Sequence, residues 1–219
     1  MKAEIKGGSV FSYIDIELSP GETVITESDA MSSMDADIDL TAVFNGGLIR
    51  GLLRKYLGGE TLFVSRFKNN TKRSRRLILT QPTPGEIRCI ELKNEAINLQ
   101  PGAFLACTEG ITSGLRWAGL ASFIAREGLF KMQATGNGKV WYGAYGALLE
   151  KEIDGEYIVD TSHLVVYEPG IKFNLQMAGG IFSSFFGGEG LVTRVNGKGK
   201  IVIQTRSLSG LAAWLNPKF

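Results

Sequence analysis

Three stretches decide the fold: Gly58–Phe67 (GGETLFVSRF), Ala125–Ala134 (AREGLFKMQA) and Gly187–Val195 (GGEGLVTRV). They align on Glu60, Glu127 and Glu189. Each leads through a turn into another apolar strand: Arg75–Gln81 (RRLILTQ), Gly136–Gly146 (GNGKVWYGAYG) and Asn196–Ser207 (NGKGKIVIQTRS). Self-similarity at long period is the mark of a repeated supersecondary unit. A second anchor lies upstream of each: Leu18–Asp29 (LSPGETVITESD), Leu99–Gly110 (LQPGAFLACTEG) and Val159–Gly170 (VDTSHLVVYEPG), aligned on Gly21, Gly102 and Ser162. The pairs of anchors predict three units, residues 1–83, 84–152 and 153–219. The first is longer between its anchors and carries the acidic stretch Met34–Phe44 (MDADIDLTAVF).

The units read as β structure. Val10–Leu18, Glu86–Leu92 and Lys200–Arg206 alternate polar and apolar residues, so one face of each strand is buried. Asn137–Lys139 and Asn196–Lys198 carry the Asn-Gly signal of a tight hairpin, and Pro20-Gly21 and Pro101-Gly102 open turns before strands. With 28 Gly among 219 residues, turns and bulges are frequent. The expected fold is all-β: an antiparallel sandwich or barrel-like roll used three times, in pseudo-threefold arrangement. It ends in one short helix over SLSGLAAWL, capped by Ser207 or Ser209 and stopped by Pro217.

The strand Gly58–Phe67, the segment VDTSHLVVYEP (Val159–Pro169) and the closing IVIQTRSLSGLAAWL (Ile201–Leu215) resemble the altered-inheritance-of-mitochondria family of bacterial, archaeal and mitochondrial proteins. That family is classed with folds like the tryptophan RNA-binding attenuation protein. The resemblance covers nearly the whole chain. It implies three double-stranded β-helix, jelly-roll-like units. It supplies no established activity for bacterial members, and for mitochondrial members an association with inner-membrane organisation. The superfamily namesake binds RNA and tryptophan as a ring, but its motif has no counterpart that can be placed on this sequence.

Catalytic chemistry finds little to build on. A nucleophile needs an adjacent base, and His163 is the single histidine. It follows Asp160 in VDTSHL and is expected to bond a neighbouring segment. Cys89 and Cys107 sit in apolar strand-like runs and are expected to be buried thiols in a reducing compartment. Asp35, Asp37 and Asp39 begin like a calcium loop, but the sixth and twelfth positions are Leu40 and Gly46 rather than Gly and Glu. On a strand they would share one solvated or cross-paired face. Neither glycine-lysine pair, Gly138-Lys139 or Gly197-Lys198, has the spacing of a phosphate loop. No enzyme activity, metal or cofactor is expected.

Charge is uneven. Residues 7–49 carry eight acids and no base, and residues 50–76 carry nine bases against Glu60 alone. The favoured reading is that these opposite charges meet across strands. The other is an anion-binding face at RFKNNTKRSRR, read as a basic hairpin tip, with Arg66, Lys68, Lys72, Arg73, Arg75 and Arg76 as candidates. It lacks the interleaved aromatics of a single-strand binder, and no nucleic acid is expected.

Upstream of each aligned Glu lies an apolar helical turn: Leu52, Leu53, Tyr56 and Leu57, with Leu48 and Ile49 before them; then Leu120, Phe123 and Ile124; then Ile181, Phe182, Phe185 and Phe186. Two readings stand. The turns plug the ends of the β units, or they gather into a contact for self-association, a trimer first, or for an anionic membrane surface. Arg50, Arg54 and Lys55 back the first turn. The opening residues carry no apolar run of the signal-peptide kind, and the expected location is cytoplasmic, peripheral at the membrane if the tips engage it. The predicted role is a non-enzymatic oligomeric scaffold or binding protein. A ligand-binding or enzymatic β-helix protein is the alternative.

Overall fold

The alternation read from the sequence becomes fifteen strands in a computed structural model that describes residues 1–44, 63–100, 102–117, 130–177 and 191–216. The strands are β1 (Lys2–Lys6), β2 (Tyr13–Leu18), β3 (Thr23–Glu27), β4 (Met31–Met34), β5 (Asp39–Phe44), β6 (Phe63–Lys68), β7 (Arg75–Thr80), β8 (Ile87–Leu99), β9 (Phe104–Thr108), β10 (Ile111–Trp117), β11 (Phe130–Gly143), β12 (Leu148–Asp160), β13 (Leu164–Tyr167), β14 (Lys172–Met177) and β15 (Leu191–Gln204). A 3₁₀ turn, Thr161–His163, precedes β13, and helix α1 (Leu208–Leu215) follows β15. The apolar turn candidates Leu48, Ile49, Leu52, Leu53, Tyr56, Leu57, Leu120, Phe123, Ile124, Ile181, Phe182, Phe185 and Phe186 lie outside the described residues.

The protein is all-β apart from α1. One sheet has the order β1-β2-β7-β4. The other runs β12-β15-β13-β8-β11-β9-β3-β6-β5, with β10 added to β11 and β14 to β15. Every pairing within them is antiparallel. Three strand pairs share one feature. Phe44 pairs with Phe63, Trp117 with Phe130 and Met177 with Leu191, the last pair of each ladder.

A second pattern recurs three times. β4 meets β7 through Met31–Leu79, Ser33–Ile78 and Met34–Leu77, skipping Ser32. β9 meets β11 through Phe104–Tyr142, Ala106–Trp141 and Cys107–Val140, skipping Leu105. β13 meets β15 through Leu164–Ile203, Val166–Val202 and Tyr167–Ile201, skipping Val165. Each skipped residue is a β-bulge, which bends the strand as it leaves for the next turn. The residue four places after each of Met34, Cys107 and Tyr167 is a buried isoleucine: Ile38, Ile111 and Ile171.

Several expectations are corrected by this pairing. Asn137–Lys139 and Asn196–Lys198 are not hairpin turns; they lie inside β11 and β15. Their flanking glycines have positive φ, +126° and +149° at Gly136 and Gly138, +137° and +152° at Gly197 and Gly199. A Cβ on Gly136 would collide with the Gly110 carbonyl oxygen, and one on Gly197 would stand 2.6 Å from that of Gly170. These glycines let a long strand bend under a crossing chain, a need that gives the same local signature as a hairpin. The basic segment is likewise no hairpin, since β6 and β7 belong to different sheets and do not pair. The acidic stretch is not one strand: Ile38 N–H donates to the Asp35 carbonyl at 3.1 Å, closing a turn between β4 and β5. The strand opened by Pro20-Gly21, β3, does not occupy the place of β9; β4 does. Cys107 is buried, but Cys89 is exposed.

Burial follows the alternation. Ile14, Ile16 and Leu18 of β2 and Leu77 and Leu79 of β7 form one apolar cluster with Val24, Phe67 and Ile38. Trp141 of β11 reaches into that same cluster. A second cluster gathers Leu92, Ile97, Leu99, Phe104, Met132 and Val140. A third holds Ile153, Val159, Leu164, Tyr167, Ile171, Val195 and Ile201, with Phe173 set edge-on to Tyr167 at 4.6 Å. Each fully buried Leu or Ile contributes about 1.5–3 kcal/mol, so these clusters supply the main drive for folding.

Candidate functional site: a charged cleft on the first sheet

The outer face of β1-β2-β7 carries what the inner face excludes. Lys2, Glu4 and Lys6 alternate on β1, and Asp15 and Glu17 on β2. The register sets Lys2 opposite Glu17, Glu4 opposite Asp15, and Glu17 opposite Arg76 of β7. With Asp35, Ser74 and Arg75 these residues line an open cleft of about 330 Å³. Asp15 is its centre. Its carboxylate accepts from Arg76 Nε at 2.7 Å and Nη2 at 2.5 Å, and from Lys6 Nζ at 2.6 Å. Hydrogen bonds from Arg76 first, then Lys6, hold its carboxyl well below the usual carboxylate range. Asp15 in turn raises both Arg76 and Lys6. Lys2 Nζ meets Glu4 Oε1 at 2.8 Å.

The opposite charges of the first eighty residues therefore meet across strands, as the favoured reading of the sequence held. Asp35 accepts from the Arg76 backbone N–H at 2.8 Å, and Asp37 from Arg75 Nη2 at 2.6 Å. Asp39 accepts from the Asn70 side chain. The three aspartates thus have three separate partners, and among the described residues no group of His, Cys, Asp or Glu is arranged to hold a metal. Of the anion-binding candidates, Arg66 pairs with Glu109, Arg75 with Asp37 and Arg76 with Asp15. Lys68, Lys72 and Arg73 are exposed and form no ion pair among the described residues.

The loop that bears them is well built. Asn69 is buried; its Nδ2 donates to the carbonyls of Leu18 and Arg73, both at 2.8 Å, and its Oδ1 accepts from Thr71 N–H at 3.0 Å. Asn69 also exchanges backbone hydrogen bonds with Gly21 and Glu22. This one side chain locks the basic loop onto the turn before β3. Nothing in RFKNNTKRSRR sets Asn69 apart from Asn70, although the pair between strand and basic run is a turn signal.

The groups with chemical potential elsewhere are engaged. His163 Nδ1 lies 2.6 Å from the Gln204 carbonyl, an acceptor, so this nitrogen carries the proton. Gln204 returns a bond to the Ser162 carbonyl and accepts from Tyr145 N–H. Asp160 caps the 3₁₀ turn, accepting from both Ser162 N–H and Oγ–H at 2.8 Å. The VDTSH segment is thus a bracket between β12, β13 and β15. Burial pushes the Cys107 thiol up to about 12, with a Ser113 hydrogen bond working the other way. Such a thiol carries almost no thiolate at neutral pH.

α1 forms as expected, with Ser207 as its cap, its Oγ accepting from Gly210 N–H at 3.1 Å. None of its residues is buried, and Leu208, Trp214 and Leu215 are exposed. Among the described residues no helix is long and apolar enough to cross a membrane.

Comparison with known proteins agrees over the full length. A family model described as mitochondrial biogenesis AIM24 matches residues 3–206. An uncharacterized protein of Streptococcus pyogenes serotype M6 is 26% identical over 224 residues, covering 98% of this chain and 90% of the relative. A crystal structure of a Streptococcus pyogenes protein superposes with a TM-score of 0.80 at 25% identity, covering 100% of this chain and 99% of that one.

Proposed function

Since the chain belongs to the mitochondrial biogenesis AIM24 family, we propose that it is a non-enzymatic, self-associating scaffold of three equivalent β units that works at an anionic membrane surface on the cytoplasmic side. The three recurrent bulged pairings of β4, β9 and β13 favour the threefold reading, with units 1–83, 84–152 and 153–219. A tryptophan RNA-binding attenuation protein-like, jelly-roll topology is the corresponding fold.

One observation carries the scaffold reading. Among the described residues, His163 is spent on the Gln204 carbonyl, Cys107 lies in a core, and Asp15, Lys6 and Arg76 are spent on one another. The membrane part rests on the exposed Lys68, Lys72 and Arg73 and on the apolar and basic composition of residues 48–57.

Co-sedimentation with vesicles tests the proposal. Binding to anionic but not neutral vesicles is expected, weakening with salt, and reduced by Lys72→Glu with Arg73→Glu. Light scattering at micromolar concentration is expected to show an oligomer, a trimer first. Absence of vesicle binding at low salt removes the membrane part, and a monomer mass removes self-association. A small-molecule panel that raises Tm would favour the ligand-binding alternative.

A further inference from the structure

We infer that the outer edge of β12, centred on Tyr157 and Ile158, is the docking edge for β4 of a second copy of this chain. The inference rests on the reading of the chain as three equivalent units, and it names the surface through which copies join.

Adjacent units are already joined twice within the chain, and both times in the same way. β3 pairs with β9 through Thr26–Ala106, Ile25–Cys107 and Val24–Thr108. β8 pairs with β13 through Leu99–Val166 and Asn98–Tyr167. The rungs at Phe63, Phe130 and Leu191 fix the correspondence between units. Four residues on stand Phe67, Ala134 and Val195, whose partners are Val24, Ile97 and Tyr157. Hence Tyr157, Ile158 and Val159 of β12 stand where Val24, Ile25 and Thr26, or Ile97, Asn98 and Leu99, stand in the other two. Likewise Ser33 and Met34 of β4 stand where Ala106 and Cys107, or Val166 and Tyr167, stand.

The third joint is missing from the chain. β12 and β4 are terminal strands of their two sheets and do not pair with each other. The same break shows in two short parallel bridges: Phe11 meets Gly85 and Gly85 meets Gly146, with Ser12 N–H and Glu86 N–H donating across. In the third unit Ala147 N–H donates instead to Thr205 Oγ1.

Exposure follows the break at Tyr157 and Ile158, while Val159 beside them is buried. Val24 and Ile97 are 0% and 3% exposed, and Tyr157 is 38%; Asn98 is 1% exposed, and Ile158 is 56%. β9 and β13 are buried nearly throughout, whereas Met31, Ser32 and Ser33 of β4 are exposed. An apolar edge left open is a template for strand addition, in which backbone hydrogen bonds supply affinity and alternate side chains supply register. Ser32 and Ser33 make the acceptor edge polar, which suits a joint that must be soluble before it forms. The contact is heterologous, so copies add head to tail and either close into a ring or extend.

Carrying the register across sets Val159 opposite Ser33 and Ile158 opposite Met34 of the neighbour. The test uses full-length chains with Cys89→Ser, which removes the exposed thiol. Ile158→Cys and Met34→Cys chains are mixed under mild oxidation. The expected result is a disulfide-linked heterodimer that neither single variant forms alone, together with at least about a tenfold weaker self-association in an Ile158→Asp chain. Dimers from Ile158→Cys alone would mean that β12 pairs with β12, and a link formed within a doubly substituted chain would mean that the seam closes on itself; either overturns the inference. An oligomer in which no 34–158 link forms also overturns it while leaving self-association intact. A monomer throughout removes both.

Discussion

Residues 1–80 and residues 87–204 bend their strands by different means. In β11 and β15 the chain runs unbroken for 14 residues, bent at paired glycines beneath Gly110 and Gly170. Before Thr80, β6 and β7 are separate strands in different sheets, joined by the loop around Asn69. The partner path is cut too: β8 and β12 each run 13 residues, while β2 and β3 are separated by the turn at Pro20-Gly21. Two short loops locked by one buried asparagine replace two long glycine-bent strands. A bend can thus be held by conformational freedom at one residue or by satisfied hydrogen bonds in a loop, and the second route leaves room for exposed Lys72 and Arg73.

The two regions meet first at Trp141, which lies on β11 but packs in the cluster of β2 and β7. Trp141→Ala is expected to cost about 3–5 kcal/mol, with unfolding followed by urea titration, and to loosen hydrogen-exchange protection in β2 and β7. Protection lost only in β8 and β11 would show that the two regions are energetically separate.

The glycine bends come next. Gly136→Ala or Gly197→Ala puts a Cβ against a backbone carbonyl at positive φ and is expected to cost about 2 kcal/mol or more. Gly21→Ala, at φ +83° with open space around it, is expected to cost about 1 kcal/mol. Equal costs at the three sites would mean that conformational strain, and not the crossing chain, sets the demand.

Asn69→Ala orphans the inward carbonyl of Leu18 and frees the loop at Thr71. About 2 kcal/mol is expected. Asn137→Ala, whose side chain bonds exposed Asn94, is expected to cost under about 1 kcal/mol.

The smallest effect is electrostatic. Because the Asp15 pKa is depressed in the fold, its stabilisation is complete above the ordinary carboxylate titration near pH ~4 and is lost as pH falls below it. Asp15→Asn is expected to flatten this acid limb of a Tm-against-pH curve. An unchanged limb would assign it to other carboxylates.

Much of this was legible beforehand. Alternation in YIDIEL and RRLILT announced β2 and β7, Ser207 announced the cap of α1, and the charge asymmetry announced ion pairs between the two halves of the first unit. Cys89 and Cys107 show where legibility stopped. Both sit in apolar strand runs, yet Cys89 is exposed on β8 and Cys107 lies in a core cluster on β9, where β3 and β11 pair with both edges while Cys89 is paired on one edge only, with β11. Pro-Gly before β3 and before β9 likewise looked alike, although the two strands hold different places in the sheet.

Near neighbours along the chain fix strand alternation, the helix cap, the all-β class and the family, since periodicity and capping act over two to four residues. Which strands adjoin is set at long range. Glycine at positive φ serves a hairpin and a bent strand equally, and an apolar alternate residue serves a paired and an unpaired edge equally. Long-range pairing distinguishes them, because a paired neighbour covers Val24 and Asn98 while its lack leaves Tyr157 and Ile158 in solvent.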